Sequence, residues 1–301
     1  TKGSSWIAYN SFNGEWVYTI ENVPRGVQTT GPNGEILIYT VDSDGWMTLW
    51  NSYDVINNEG TWVPGRYWNP GGKTLDASLG IVWNKTIPEG LQRAYQCKFG
   101  DRIVGSSTST SQITTWGISL KPGQEGTLLF KETWQPPTSW VTGNQSISRA
   151  AGSIEDGLIT VWNKETQQYW GFSTETGKYL WGPTEPQNYL DFLGLHSYIA
   201  YGRFFSQGMS GMVYCYNATT GKLIWTYSAD DPYNQVLWAN QWHIRPLFFA
   251  DGKIYMGTSE HSPVDPKTRG SPFVCVDVEN GDEIWRANGL FRQSDWGGRA
   301  I

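Results

Sequence analysis

Residues 216–225 read Tyr216-Asn-Ala-Thr-Thr-Gly-Lys-Leu-Ile-Trp225, and this arrangement returns twice more along the chain. The other copies are Phe172-Ser-Thr-Glu-Thr-Gly-Lys-Tyr-Leu-Trp181 and Asp277-Val-Glu-Asn-Gly-Asp-Glu-Ile-Trp285. In each copy a glycine stands four residues before a tryptophan. Glycine adopts positive φ in tight hairpin turns at little cost, and the aromatic side chain then lies on the following strand. Each copy therefore predicts two strands joined by a turn.

A second motif precedes these turns and reads as a turn followed by a buried strand. Its clearest example is Asp251-Gly-Lys-Ile-Tyr-Met-Gly257. Together the two motifs recur at a spacing of roughly 40–50 residues with several strands in each repeat, which is typical of a β-propeller. We therefore predict an all-β propeller of which about six to seven blades are visible. The aromatic residues that close the repeats are Trp83, Phe130, Trp181, Trp225 and Trp285.

Composition agrees with many short strands. The 301 residues include 35 glycines and 18 tryptophans, and only 17% are charged. This much aromatic surface requires burial, so a disordered chain is excluded. The formal net charge of −6 argues against nucleic-acid binding, which needs clustered lysine and arginine. No apolar run approaches the roughly 20 residues needed to span a membrane.

We interpret residues 1–301 as a single propeller domain, because no change of composition marks a linker. Three segments interrupt the repeats. We expect them to be loop insertions, because surface loops can be lengthened at little entropic cost. They are residues 51–79, 105–115 and 260–272. The repeats at both ends look incomplete, so we expect an excerpt of a longer propeller.

Residues 155–301 resemble the pyrroloquinoline-quinone-like (PQQ-like) β-propeller repeat family, and residues 1–154 resemble it more loosely. The matching phrases are the Thr-Gly-Lys-x-x-Trp of 176–181 and 220–225, the stretch 251–257, and the stretch 276–285. The resemblance implies four-stranded blades around an axis, commonly seven or eight, with tryptophans as docking motifs between blades. It implies a blade-docking role for Trp83, Phe130, Gly177, Trp181, Gly221, Trp225, Gly281 and Trp285.

Members of that family differ in function. Some are quinone-dependent alcohol or sugar dehydrogenases, whereas others, such as the bacterial outer-membrane assembly lipoprotein, bind no cofactor and act as docking platforms. Alcohol-oxidising members use a vicinal Cys-Cys ring and acidic side chains that hold calcium. This sequence has only the separated cysteines Cys97, Cys215 and Cys275. We therefore predict no cofactor, no catalytic residue and no metal site, and retain a PQQ-dependent oxidoreductase domain with calcium as the alternative.

A set of polar residues near the carboxyl end could converge on one propeller face and line an anionic pocket or channel. None has the short spacing of a metal site, such as His-x-His, so loop residues that satisfy turn backbones are the simpler interpretation. The candidates are His243, Arg245, Glu260, His261, Asp265 and Arg269.

Sequons occur at Asn84, Asn144 and Asn217, and we expect the turn beside Asn217 to be exposed. The aromatic-rich segment 51–79 could instead contact proteins or sugars. We therefore predict a secreted, cell-surface or periplasmic interaction or structural module that is non-catalytic. A protein partner or self-association is expected, and a carbohydrate-binding propeller is the second alternative.

Overall fold

The computed structural model describes residues 4–58, 71–192, 196–230, 244–258 and 271–291. These residues form 23 strands in six sheets, with only short helices between them. The chain divides into two compact units. The first comprises Thr1–Ser107 and Thr114–Thr133, and the second comprises Thr108–Ile113 and Trp134–Ile301.

The first unit contains a three-stranded sheet, a four-stranded sheet and most of a second four-stranded sheet. The three-stranded sheet has the order β1 (Ser4–Tyr9), β2 (Trp16–Val23) and then β6 (Lys73–Asp76), with β6 parallel to β2. The next sheet is antiparallel and consists of β3 (Val27–Thr30), β4 (Ile36–Asp42), β5 (Trp46–Asn51) and β7 (Ile81–Thr86). The third consists of β8 (Ala94–Lys98), β9 (Arg102–Thr108), β10 (Ile113–Ser119) and β11 (Leu128–Trp134).

The second unit contains three antiparallel four-stranded sheets, each with its strands in chain order. The first is β12 (Ile147–Ser153), β13 (Leu158–Asn163), β14 (Gln168–Ser173) and β15 (Tyr179–Trp181). The second is β16 (His196–Ala200), β17 (Arg203–Gln207), β18 (Met212–Asn217) and β19 (Leu223–Ser228). The third is β20 (Ile244–Ala250), β21 (Lys253–Thr258), β22 (Ser271–Asp277) and β23 (Glu283–Phe291).

The helical segments are all brief. They are α1 (Ser52–Asn58), α2 (Ser139–Thr142) and the 3₁₀ turns Ala77–Gly80 and Tyr189–Phe192. Within the described part of the chain, no helix is both long and apolar enough to cross a membrane. The prediction of an all-β propeller with four-stranded blades is confirmed, except that one of the six described sheets, β1-β2-β6, has three strands.

The recurring turns have the same backbone geometry in each sheet of the second unit. Gly177, Gly221 and Gly281 have φ of 73°, 68° and 79°, so each occupies the left-handed region that favours glycine. Each glycine N–H donates to the carbonyl four residues earlier, at 2.8–3.0 Å. The residue that supplies this carbonyl also caps the turn with its side chain; Asn217 Oδ1, for example, accepts from the N–H groups of Thr219 and Thr220. The local sequence is therefore sufficient to form each turn.

Facing sheets bury apolar side chains between them. Phe205 and Val213 from the β16–β19 sheet pack with Ile254 and Val274 from the β20–β23 sheet, and all four are fully buried. A separate cluster joins the β12–β15 sheet to the other face of the β16–β19 sheet. The β16–β19 sheet is thus covered on both faces, which explains why apolar or aromatic side chains occupy successive positions in its central strands, Phe204 and Phe205 in β17 and residues 212–216 in β18.

The structure corrects part of the expected loop boundaries. Residues 105–108 and 113–115 belong to β9 and β10, so the Ser/Thr-rich segment 105–115 is mainly a hairpin with a turn at 109–112. Threonine is β-branched and suits a strand, and Ser106, Thr114 and Thr115 are buried in the sheet.

Segment 51–79 is also more than a loop, since it carries α1 and β6 around residues 59–70, which lie outside the described residues. The pairing of β6 with β2 is long-range, and the local sequence does not reveal it. Of segment 260–272, only the last two residues are described, and they belong to β22. The structure divides residues 1–301 into two compact units, and a single propeller domain over these residues remains a prediction.

Candidate functional site

The indole of Trp181 lies on the turn of the following sheet. Its Nε1–H donates to the carbonyl of Ala218 at 2.8 Å, and a Cβ atom at Gly221 would lie 2.5 Å from its Cδ2. Only 5% of Trp181 is exposed. The glycine is therefore needed both for its positive φ and for the close approach of the indole.

Trp225 repeats this arrangement one sheet further along. Its Nε1–H donates to the carbonyl of Val278 at 2.9 Å, and its ring lies against Gly281. The two contacts together join the three sheets of the second unit through one repeated geometry. Each supplies a buried aromatic surface and a satisfied N–H group.

The other predicted docking residues have different surroundings. Trp83 is half-buried beside Tyr39, with 6.1 Å between the ring centroids. Phe130 is buried against Gly117 of its own sheet. Gly177 is buried in its turn. Trp285 is 41% exposed and contacts the rings of Tyr255 and Phe273.

A small residue stands opposite each indole of the second unit's repeats, on the neighbouring strand. Gly171 pairs with Trp181, Cys215 with Trp225 and Cys275 with Trp285. The indole lies across this position, so a larger side chain would displace it. Burial raises the pKa of the Cys215 thiol to about 12. Cys215 is thus a small apolar side chain and not a reactive thiolate.

Most of the predicted polar face lies outside the described residues. This holds for His243, Glu260, His261, Asp265 and Arg269. Arg245 is described, and it lies half-buried on β20. Burial and the positive charge of Arg245 together lower the pKa of His196 at the start of β16. His196 was not among the predicted residues, because only the packing of β16 against β20 brings it near Arg245.

The three sequon asparagines differ in accessibility. Asn84 is exposed on β7, where its Oδ1 accepts from the Thr48 hydroxyl at 2.5 Å. Asn144 is exposed after α2 with φ of 49°. Asn217 is half-buried and uses its Oδ1 to cap the turn. The structure therefore leaves Asn144 more accessible than Asn217.

A concentration of buried polar side chains lies at one end of the β16–β19 sheet, where β16 begins and β17 ends. We call this the polar end and define it by Gln187, Asp191, His196, Ser206, Gln207 and Ser210. All of these except His196 are buried. No spacing motif announces the polar end, since its residues come from a connection, two strands and a turn.

One side of the polar end faces the β12–β15 sheet and is organised by Gln187 and Asp191. Gln187 Nε2 donates to Ser206 Oγ at 2.5 Å and to the Tyr216 hydroxyl at 2.7 Å. Asp191 Oδ1 accepts from the Ser210 N–H at 2.9 Å and thereby holds the turn between β17 and β18. Burial raises the pKa of the Asp191 carboxyl, while the hydrogen bonds from Ser210 oppose the shift.

The other side of the polar end faces the β20–β23 sheet. Gln207 is directly opposite His196 in the strand pair, so the two side chains share a face with Phe205 and Tyr198. Phe205 and Tyr198 both pack against Phe249 of β20. Gln207 is 0% exposed, and neither its Nε2 nor its Oε1 has a hydrogen-bond partner.

The described residues do not fit a quinone–calcium centre. Among them no three histidine, cysteine or acidic side chains lie close enough together to hold a metal ion. Calcium prefers several oxygen ligands that include carboxylates. Asp191 is a single carboxylate surrounded by amides and hydroxyls, so it does not supply that set.

One family model matches part of the chain. Residues 155–290 match the family model described as outer membrane protein assembly factor BamB. No curated protein matches the chain in sequence.

Three solved structures are similar to the chain at 12% identity each. The designed protein Ika8 has a TM-score of 0.48, covering 95% of this chain and 69% of its own. BamB from Moraxella catarrhalis has a TM-score of 0.38, and the match covers 95% of this chain and 78% of the BamB chain. A europium-containing methanol dehydrogenase has a TM-score of 0.38, covering 90% and 62%. These likenesses transfer no activity. The family model described as outer membrane protein assembly factor BamB covers residues 155–290, fewer than half of the 301, so the likeness to that family holds for those residues alone.

Proposed function

We propose that this protein is a non-catalytic interaction or assembly module that works outside the cytoplasm. The observation that carries the proposal is the match of residues 155–290 to the family described as an outer-membrane assembly factor. The repeated aromatic residues Trp181 and Trp225 support it, because they are used in packing one sheet on the next and not in lining a reaction centre.

Exposed apolar side chains support a protein partner. Four of them lie on the hairpin formed by β1 and β2. Phe12 at its tip is 98% exposed, and Ile7, Tyr9 and Trp16 are also exposed. Large exposed aromatic residues that lie together are enriched where proteins bind proteins.

Self-association tests this part of the proposal. Sedimentation equilibrium of the wild-type chain is expected to show a concentration-dependent increase in mass. The double substitution Tyr9→Ser and Phe12→Ser is expected to reduce it, whereas Tyr189→Ser, at an exposed tyrosine outside both the hairpin and segment 51–79, is the matched control. A monomer at every concentration would argue against self-association and leave a different protein as the partner.

The cofactor-free character is tested separately. After incubation with PQQ and calcium followed by gel filtration, we expect no quinone absorbance in the protein fraction and no reduction of an electron-accepting dye with alcohols or sugars. Retained quinone together with dye reduction would support the alternative oxidoreductase function. The buried thiols of Cys215 and Cys275 and their separation in sequence favour the non-catalytic proposal.

Export and glycan binding remain predictions. If the protein is exported by a glycosylating host, Asn144 is the expected acceptor, and Asn144→Gln would remove the mass that peptide N-glycosidase releases. Binding of sugars by the segment 51–79 would involve Trp62 and Trp68, which lie outside the described residues. Quenching of tryptophan fluorescence by a panel of sugars tests that alternative.

A further inference from the structure

We infer that the Gln207 side of the polar end is a binding site for a carboxylate group, entered from solvent at His196. The inference adds a ligand to the proposed function. It rests on that function only where it names a protein partner as a source of the carboxylate. That source is either a small organic acid or an acidic side chain of a protein partner.

The first observation is the state of the Gln207 amide. A fully buried side-chain amide with neither atom hydrogen-bonded is uncommon, because burial removes the water that would otherwise satisfy it. Proteins tend to break this rule of polar satisfaction at functional or strained sites.

The neighbouring sheet provides an internal comparison. Asn163 ends β13 as Gln207 ends β17, and each is paired with the first residue of the preceding strand. Asn163 is also fully buried, but its amide is satisfied. Its Nδ2 donates to Gln145 at 2.6 Å, and its Oδ1 accepts from the N–H groups of Glu165 and Thr166. At equivalent positions, the Asn163 amide thus caps the turn that follows its strand, whereas the Gln207 amide does not.

Asp191 explains the difference. The turn that follows Gln207 is held from the opposite face by Asp191, whose Oδ1 accepts from the Ser210 N–H. The Ser210 hydroxyl in turn accepts from the Met212 N–H at 3.1 Å. Because the turn is already capped, the Gln207 amide has no structural task within its sheet.

The electrostatic surroundings select the ligand. Strands β16, β17 and β20 contain no aspartate or glutamate, and the carboxyl of Asp191 lies on the other side of the polar end, where it accepts from the Ser210 N–H. The positive charge of Arg245 acts at this site, since it lowers the pKa of both His196 and, against the larger effect of burial, Tyr198. An anion is therefore favoured here. A carboxylate accepts hydrogen bonds, and the Gln207 Nε2 is a donor in need of an acceptor.

Accessibility is provided by His196. It lies beside Gln207 across the strand pair and is exposed, whereas Gln207 is fully buried. A bound carboxylate would lie near the imidazole and stabilise its protonated form. Binding is therefore expected to raise the pKa of His196.

The experiment uses succinate and an N-acetylated, C-amidated pentaglutamate peptide as probes, with succinamide and the equally blocked pentaglutamine peptide as uncharged counterparts. The imidazole signals of the full chain are titrated by NMR, and His196 is assigned through His196→Gln. Affinity is measured by calorimetry. We expect the acids, and not the amides, to raise the pKa of His196.

Gln207→Met removes the amide at nearly constant volume and is expected to weaken carboxylate binding about tenfold or more. Gln168→Met makes the same change on β14 and is expected to leave binding unaltered. If neither acid moves the pKa of His196, or if Gln207→Met binds as the wild type does, the inference is wrong.

The two probes distinguish the source of the carboxylate. Equal affinity for succinate and pentaglutamate indicates a small acid, whereas a strong preference for the peptide indicates a protein segment. Succinate binding in a chain that sediments as a monomer at every concentration would retain the site and argue against self-association alone. Assembly without carboxylate binding would do the reverse.

Discussion

Gly221 and Gly252 have nearly the same backbone conformation but different surroundings. Their φ angles are 68° and 65°. A Cβ at Gly221 would collide with the Trp181 ring, whereas at Gly252 it would meet nothing within 4 Å. The pair therefore separates the cost of a positive φ from the cost of lost docking space.

We expect Gly252→Ala to lower the free energy of unfolding by about 1–2 kcal/mol, which is the cost of a left-handed alanine. Gly221→Ala should lower it by roughly 1–3 kcal/mol more, because the methyl group displaces the indole. Urea denaturation of both variants measures the difference. Equal losses would show that the indole yields without cost.

Gln207 and Asn163 allow a second comparison at single residues. Gln207→Met should leave the free energy of unfolding unchanged or raise it by about 1 kcal/mol, because a buried amide without partners disappears. Asn163→Leu should lower the free energy of unfolding by about 1–3 kcal/mol. It leaves Gln145 Oε1 without its donor and two backbone N–H groups without their acceptor. A large loss in Gln207→Met would assign that amide a structural role.

At the scale of the elements, the sheets of the second unit are joined by equivalent hydrogen bonds at equivalent places. Asp156 Oδ1 accepts from the Gly202 N–H at 2.8 Å, and the Tyr201 hydroxyl accepts from the Gly252 N–H at 3.3 Å. These bonds link the first hairpin turns of consecutive sheets. The indole contacts link the second hairpin turns, so each sheet is fixed to the next at two points.

The indoles differ in how much of this fixation they supply. Trp181→Ala should cost about 3–5 kcal/mol, because a buried ring and its hydrogen bond are lost. Trp285→Ala should cost less than half as much, since 41% of that side chain is already exposed. Thermal unfolding followed by circular dichroism tests the order, and a larger loss at Trp285 would contradict it.

At the scale of the whole molecule, stability depends on pH through groups whose pKa changes on folding. Burial raises the pKa of Asp191, so its favourable contribution is present at low pH and is lost as the pH rises through the folded value. The pKa of Glu283 is lowered, first by its hydrogen bonds with Arg286. Its contribution is therefore present above the unfolded pKa and is lost as the pH falls.

Asp191→Asn and Glu283→Gln should consequently have opposite pH dependence. Relative to the wild type, Asp191→Asn becomes more favourable as the pH rises from 3 toward neutrality, roughly following the linkage relation. Glu283→Gln becomes less favourable over the same interval. Urea denaturation at several pH values measures both, and parallel curves for the two variants would refute the assignment.

The hairpin turns, the docking indoles of Trp181 and Trp225 and the all-β propeller class were predictable from the amino-acid sequence, whereas Trp83, Phe130 and Trp285 have different surroundings. Their information is local: a glycine that permits positive φ, a capping side chain and an aromatic residue all lie within ten consecutive residues, as in 216–225. Repetition of that local signal then indicates sheets of equal design. The small residues Gly171, Cys215 and Cys275 opposite the indoles follow the same logic once the strands are aligned.

The polar end could not be predicted, and neither could the hairpin in 105–115 or the parallel pairing of β6 with β2. Whether the Gln207 amide has a hydrogen-bond partner depends on Asp191. This residue lies in the connection before β16 and caps the turn after β17, so Gln207 does not cap that turn. Whether His196 feels a positive charge depends on how β20 packs against β16. Whether a buried polar group finds a hydrogen-bond partner, and how strongly charges act on it, depend on residues that are distant in sequence. Both are therefore decided only when the chain folds.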